Sequence, residues 1–267
     1  MPSTMEFNRE APSGLPVNSQ VKDIAERGYS VVRRAFDDVT ITRMRHVIMN
    51  NLEFMSNTRP TKTARHIAGF HRFPRFEPIH AAISANAALM SVLESIYGER
   101  HIISLGLSDI TINRSQPWHT DLLRGDYSKH LTSEIWGEST ARPCLKALVY
   151  LQHGASLQVV TGSHRHPIDL SSDRNAVPTG DAKIEAVAAE AGDVILMDIR
   201  TIHRGSTEAE MATKILDADA KILISTVFGD RNSKLAQAMQ KGNAERMIDW
   251  DVRNTPAIGS SRCLDAS

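Results

Sequence analysis

The stretch "GDVILMDIRTIHRG", residues 192–205, decides the fold. It is a short run rich in β-branched and apolar residues, it begins and ends at glycine, and it lacks the spacing of three and four that marks a helix. Alternation along a single strand would place Met197, Ile199, Thr201 and His203 on a common face. We therefore expect one strand that carries His203 at its end.

Runs of the same kind lie on both sides of this stretch, separated by Gly, Pro, Asp and Ser. They are "HIISLGLSDITIN" (101–113), "CLKALVYLQ" (144–152), "SLQVV" (156–160), "KIEAVAAE" (183–190) and "AKILISTVF" (220–228). Short strands in series favour an antiparallel sandwich or barrel. No helix-length segment separates consecutive strands after residue 140, which argues against a parallel α/β fold.

The first half of the chain is mostly helical in pattern. "DDVTITRMRHVIMNNLEFM" (37–55) predicts an amphipathic helix, and "IHAAISANAALMSVLESIYG" (79–98) predicts a second that stops at Gly98. In the stretch "RPTKTARHIAGFHRFPRF" (59–76), the apolar residues follow no regular periodicity, so we expect a long loop there. Near the end, "NSKLAQAMQKG" (232–242) predicts a short helix.

We expect one domain over residues 1–267, mainly β with flanking helices. Its parts are a helical N-terminal region (about 19–98), the strand-rich core (about 101–230) and a C-terminal helix and tail (231–267), poorly ordered after Asp251.

Composition excludes several classes of function. Lysine plus arginine and aspartate plus glutamate number 31 each, so no net charge attracts nucleic acid or an anionic membrane. The first residues lack a secretory pattern, and no apolar run approaches the ~18 residues that span a bilayer. Cys144 and Cys263 have neither a metal-ligand spacing nor a disulfide framework. We expect a cytoplasmic protein with a small-molecule substrate; the oligomeric state stays open.

A candidate metal site lies in "PWHTDLLRG", residues 117–125. A strand beginning near Pro117 would point His119 and Asp121 to one face, as two ligands of one metal ion require. With His203 they make two imidazoles and one carboxylate. That is the ligand set of the facial triad, which holds a non-haem Fe(II) and leaves other coordination positions open.

Six pieces of sequence, taken in order, resemble the phytanoyl-CoA dioxygenase family of Fe(II)/2-oxoglutarate-dependent oxygenases. They are "ERGYSVVRRAF", "WHTD", "ALVYLQ", "LQVVTGSH", "GDVILMDIRTIHRGS" and "KILISTVF", and together they span roughly residues 20–230. The resemblance implies a double-stranded β-helix, or jelly-roll barrel, with His119, Asp121 and His203 as iron ligands. It implies Fe(II), 2-oxoglutarate and O2 as cofactor and co-substrates, and hydroxylation of a small polar or anionic metabolite with release of succinate and CO2.

The resemblance also implies a basic residue, usually arginine, on the strand after the distal histidine, where it binds the far carboxylate of 2-oxoglutarate. This chain departs from that pattern, because Lys221 occupies the position. A lysine supplies the charge but not the bidentate fork, so we expect help from a neighbour such as Ser225. If the loop between His203 and this strand is aligned differently, Lys214 occupies the position of the arginine instead.

The predicted loop at 59–75 is locally basic and contains no acidic residue. Its arginines Arg65, Arg72 and Arg75 are candidate contacts for a carboxylate or phosphate on the substrate, although a solvated basic face would look the same.

Two further candidates flank the metal motif. Trp118 would either line a pocket or pack in the core. The stretch "RGDYSKHLTSEIWGEST" (124–140) is long and polar, which predicts a lid with Arg124 and Tyr127 as substrate contacts.

Two alternatives to the oxygenase remain open. The barrel could be a cupin-like metal isomerase or hydrolase that uses no 2-oxoglutarate, or a jelly roll that binds a small ligand without turnover. An intact set of three ligands argues against the second alternative, because a binding module does not need an oxygen-activating triad. The chain has no glycine-rich phosphate loop, no nucleophile elbow and no zinc-protease helix motif.

Overall fold

The computed structural model describes residues 17–58, 61–133, 135, 142–154, 156–166, 173–178, 183–217 and 219–262, with side chains described as far as residue 254. Its strands are β1 (Tyr29–Val32), β2 (Ser56–Asn57), β3 (Arg65–Ala68), β4 (Ile102–Ile112), β5 (Leu145–Tyr150), β6 (Gln158–Val160), β7 (Ile184–Ala186), β8 (Val194–Asp198), β9 (His203–Arg204) and β10 (Ile222–Asp230). Its α-helices are α1 (Val17–Arg27), α2 (Asp38–Met49), α3 (Glu77–Ser84), α4 (Ala87–Tyr97), α5 (Glu208–Ala212) and α6 (Lys234–Arg262).

The strands form two antiparallel sheets. The large sheet has the order β1-β8-β5-β10-β4-β3-β2, and the small sheet has the order β7-β6-β9. From β4 onward the chain passes repeatedly between the two sheets, which is the connectivity of a jelly roll. The predicted double-stranded β-helix with flanking helices is confirmed.

The helices cover one face of the large sheet. Leu145, Ala147 and Val149 alternate along β5 and belong to the same buried apolar cluster as Ile83 and Leu93 of the helices. The residues between them on each strand point the other way, into the barrel. This alternation separates the apolar core against the helices from the barrel interior, which has a buried apolar cluster of its own.

The helix predicted over 79–98 is two helices, so that prediction was wrong in its length. Asn86 interrupts it, because its side chain accepts a hydrogen bond from the backbone N–H of Leu89 and caps α4. Gly98 ends α4 as predicted. No single helix among the described residues is long and apolar enough to cross a membrane. Helices α3 and α4 reach that length and apolar composition only when they are taken together, and they are bent by 58° at their junction.

The N-terminal region contributes strands that its helical pattern did not predict. Strand β1 pairs with β8 at one edge of the large sheet. The predicted loop at 59–76 contains β3, which pairs with β4, and a 3-10 turn at Phe70–Arg72; residues 59 and 60 lie outside the described part. The loop prediction was wrong because Ile67, which is fully buried, pairs with Ile110, 43 residues away in sequence.

The last helix is 29 residues long, whereas the sequence predicted a short helix and a poorly ordered tail. It packs against the segment that follows Asp121, and the approach is close at Gly242, where a Cβ atom would lie 2.2 Å from the carbonyl oxygen of Tyr127. Tyr127 also donates a hydrogen bond to Asp249 at 2.5 Å. Helix α6 therefore covers one side of the predicted lid.

Candidate metal centre

The turn between β8 and β9 places His203. Strand β8 ends at Asp198, whose carboxylate accepts hydrogen bonds from the backbone N–H and from Nε and Nη2 of Arg200. Both side chains are buried. The single alternating strand predicted over 192–205 was wrong, because this turn ends β8 and sends the chain into the small sheet, where His203 begins β9.

His119 reaches His203 through the backbone rather than through a regular strand. The two residues exchange backbone hydrogen bonds, with N···O distances of 2.8 and 2.9 Å, in an isolated β-bridge. The backbone N–H of Asp121 donates to the carbonyl of Ile199 at 2.8 Å. The structure thus brings the three predicted ligands together, although the strand predicted from Pro117 onward is only this bridge.

The ligand atoms of His119, Asp121 and His203 all lie within 4.8 Å of one another. Each imidazole donates from Nδ1 to a backbone carbonyl, His119 to Pro117 at 2.7 Å and His203 to Thr201 at 2.9 Å. These bonds fix the tautomer that leaves an Nε2 lone pair free for a metal, as in many metal sites. No other such group of His, Cys, Asp or Glu occurs among the described residues.

The carboxylate of Asp121 fits a metal in the same way. Its Oδ1 accepts a hydrogen bond from Nζ of Lys146 at 2.7 Å, while its Oδ2 is buried, has no hydrogen-bond partner and lies 3.4 Å from Nε2 of His203. A buried carboxylate oxygen without a partner is costly unless a cation or a donor satisfies it. The donor set therefore suits a divalent metal held by two nitrogens and one oxygen.

The protonation states suit the same role. Burial acts to raise the pKa of Asp121, but the Lys146 ammonium and the neighbouring imidazoles outweigh it and hold the pKa well below its usual range. Burial lowers the pKa of His203 to about 3, and His119 adds to the effect. At neutral pH the site thus presents a carboxylate and a neutral His203 imidazole, the forms that bind metals.

Lys221 precedes β10 and faces a small cavity. Thr111, Arg114, Gln116, Tyr150, Gly205, Lys221 and Leu223 line this cavity. The ammonium of Lys221 donates to the hydroxyls of Ser156 and Ser206 at 2.5 and 2.6 Å. Burial lowers the pKa of Lys221 to about 8.

The other two residues predicted for 2-oxoglutarate lie elsewhere. Ser225 is buried on β10, and its hydroxyl makes a long bond of 3.4 Å to the carbonyl of Asp109. Lys214 forms an ion pair with Asp219 at 2.6 Å. The structure does not bring either residue to the Lys221 cavity, where two other serines contact the ammonium.

The three arginines of the 59–75 segment do not form one cluster. Arg65 donates to the carbonyls of Lys62 and Ala64. Arg72 makes a two-bond ion pair with Asp251 of α6 at 2.8 and 3.1 Å, and the guanidinium of Arg75 lies over the ring of Phe54. Arg72 therefore holds the last helix in place.

The three residues beside the metal motif that were candidate substrate contacts each contact other parts of the protein. Trp118 is buried with Val160 and Ile202, and Arg204 lies over its ring. Arg124 donates to the carbonyl of Thr120 at 2.8 Å. Tyr127 binds α6 as described above, and residues 134 and 136–141 of the predicted lid lie outside the described part.

Sequence reasoning missed two basic residues that face the barrel interior. Lys146 is the one charged residue in the strand sequence "LKALVY", and this departure from an apolar pattern is a signal that could have identified it. Arg114 follows the end of β4 and lines the Lys221 cavity. Among the described residues, its guanidinium makes no hydrogen bond or ion pair.

No protein-family model matches the sequence, and no curated protein matches it. Solved structures do match. The epimerase SnoN, in complex with Fe3+, alpha ketoglutarate and nogalamycin RO, is 14% identical over 80% of this chain and 83% of its own, with a TM-score of 0.56. HygX from Streptomyces hygroscopicus, with nickel and 2-oxoglutarate bound, is 18% identical over 82% of this chain and 89% of its own, with a TM-score of 0.57. AviO1 from Streptomyces viridochromogenes Tue57 is 13% identical over 83% and 98%, with a TM-score of 0.56. At these identities the similarity establishes a shared fold.

Proposed function

We propose that this protein is a non-haem Fe(II)/2-oxoglutarate-dependent oxygenase that hydroxylates a small polar or anionic metabolite. The observation that carries the proposal is the convergence of two Nε2 atoms and the partnerless Oδ2 of Asp121 inside a jelly roll. SnoN and HygX, which share the fold, were solved with 2-oxoglutarate and a metal. Membership of the phytanoyl-CoA dioxygenase family stays a prediction from sequence.

In this proposal His119, Asp121 and His203 hold Fe(II) through Nε2, Oδ2 and Nε2. A ferrous ion held there would have open positions for the co-substrate and O2, and would supply the chemistry that couples oxidation of the substrate to the conversion of 2-oxoglutarate to succinate and CO2. The protein contributes orientation: the carbonyls of Pro117 and Thr201 fix the two imidazoles. Lys146 fixes the carboxylate.

The Lys221 cavity is the proposed site for the distal carboxylate of 2-oxoglutarate. Lys221 supplies the charge, and Ser156 and Ser206 already contact its ammonium. Arg114, which lines the same cavity and has no described partner, supplies the bidentate fork that a lysine lacks. In this proposal Arg114, which follows the end of β4, takes over the role of the arginine that the family usually has at the position of Lys221.

Replacing Lys221 by methionine is expected to weaken 2-oxoglutarate binding by about 30-fold at pH 7, because a hydrogen bond to a charged group contributes about 1.5–3 kcal/mol. The measurement is a calorimetric titration of 2-oxoglutarate into the anaerobic metal-loaded protein. Lys214→Met is the matched control and should bind as the wild type does, since Lys214 pairs with Asp219 outside the cavity. Equal losses in the two variants would contradict the assignment.

The affinity for 2-oxoglutarate should also depend on pH. The charged ammonium is the binding form and its pKa is about 8, so the affinity is highest below that pH. Above it the affinity should fall by about tenfold per pH unit, because binding must then take up a proton. A Lys221→Arg variant stays charged throughout and should show a flat profile from pH 7 to 9.5. Identical profiles for the two proteins would remove Lys221 from the site.

The function itself is tested by succinate formation from 2-oxoglutarate under air, with Fe(II), ascorbate and a panel of small carboxylates and phosphate esters. Iron-dependent succinate that is absent from a His119→Ala protein is the expected result, and a panel member that accelerates it indicates the substrate class. The oxidised product must be identified as well, because SnoN is an epimerase and SnoK, with a TM-score of 0.51, is a carbocyclase. Absence of both succinate and 2-oxoglutarate binding would favour the isomerase or the ligand-binding jelly roll.

A further inference from the structure

Lys146 is a largely buried cation on a central strand of the large sheet. It lies on β5, where its backbone pairs with Met197 of β8 and Val227 of β10. The neighbouring residues Leu145 and Ala147 face the helices, so the lysine side chain points into the barrel. Placing an ammonium there is costly unless it is paired.

Its partner is the metal-binding carboxylate. Nζ of Lys146 lies 2.7 Å from Oδ1 of Asp121, and the two side chains are 15% and 12% exposed. The second oxygen, Oδ2, has no hydrogen-bond partner and faces Nε2 of His203. The lysine therefore engages one oxygen of the carboxylate and leaves the other for a metal.

This geometry gives Lys146 two opposing effects on the site. Without a metal, its charge compensates a buried carboxylate that would otherwise be isolated, and removal of one partner of a buried pair is strongly destabilising. With a metal on Oδ2, the ammonium is a like charge on the other oxygen of the same carboxylate. Charges this close inside a protein repel appreciably, since the local dielectric is low.

We infer that Lys146 is a positioning residue that acts as the internal counter-ion of Asp121: it restricts Asp121 to one-oxygen ligation, stabilises the metal-free site and lowers its affinity for a divalent metal. The inference rests on the proposed function only in that the triad binds a metal. With one-oxygen ligation, the three protein ligands would leave positions open for a chelating co-substrate and for O2.

The test compares Lys146→Met, which keeps the length of the side chain and removes its charge, with Lys146→Arg, which keeps the charge. Co(II) is titrated into each metal-free protein and followed by visible absorption, and thermal unfolding is recorded with and without Co(II). Lys146→Met is expected to lower the Tm of the metal-free protein and to bind Co(II) at least about tenfold more tightly. Lys146→Arg should stay close to the wild type in both respects.

Two further variants make the test decisive. Lys146→Gln removes the charge but retains an N–H donor, so it should also bind Co(II) more tightly, and it serves if the methionine variant does not fold. Lys183→Met removes a surface lysine that pairs with Glu185, and should change neither readout. If the wild type binds Co(II) but the uncharged Lys146 variants bind it equally or less tightly, the proposed role of Lys146 is wrong and the metal site stands. A wild type that does not bind Co(II) would overturn the metal site and this inference together.

Discussion

Replacing His203 by alanine is expected to abolish metal binding and to lower iron-dependent succinate formation by at least about 100-fold. Uncharged partners that orient metal ligands, such as the carbonyls that hold the two imidazoles, are worth about 10–100-fold in affinity or activity, so the loss of a ligand itself should cost more. The backbone hydrogen bonds between His203 and His119 do not involve the side chain, so the fold should survive. The measurements are bound iron per protein after anaerobic loading and the rate of succinate release.

The matched control is His153→Ala. That histidine is 76% exposed and pairs with Glu190 on the surface. It should retain full metal content and activity. A His203→Ala protein that still binds one equivalent of iron would place the metal somewhere other than the triad.

The largest effect on stability is expected from Asp198→Ala, which should lower the free energy of unfolding by about 3–5 kcal/mol. Asp198 and Arg200 are 1% and 2% exposed, and the carboxylate accepts three hydrogen bonds from the arginine. Removing the carboxylate leaves the charge of Arg200 in a buried environment without these bonds. Because the pair shapes the turn that leads to His203, the affinity for Co(II) should fall as well.

Urea unfolding followed by circular dichroism measures this change. The control is Glu26→Ala, which removes an exposed ion pair with Lys22 and should cost no more than about 1 kcal/mol. A change in Asp198→Ala as small as that in Glu26→Ala would show that the buried pair contributes little to the fold.

The sequence predicted the elements that depend on local pattern. Strands β4, β5 and β10 were predicted within a few residues, since each is a compact run of β-branched and apolar residues between turn residues. The elements that were missed depend on distant partners. Strand β3 has a basic, irregular sequence, and it is a strand because β4 offers an edge for it.

The candidate site, too, could be predicted from local sequence only in part. The three ligand types were visible in the sequence, but their convergence depends on a bridge between residues 84 positions apart and on a turn held by Asp198. The proposed 2-oxoglutarate site combines four separate segments: Arg114 and Lys221 line the cavity, and Ser156 and Ser206 contact the lysine ammonium. No local pattern could have joined them, although the lone lysine of β5 was a detectable anomaly.

The backbone bridge between His119 and His203 has a consequence for the speed of metal uptake. Two of the three ligands are held side by side by their own main-chain hydrogen bonds, which do not involve the side chains that would bind the metal. Loading then requires no search for the partner segment and no slow rearrangement of the sheet. We therefore expect association to be first order in metal and not limited by a conformational change, so iron lost during purification should be replaceable without unfolding the protein.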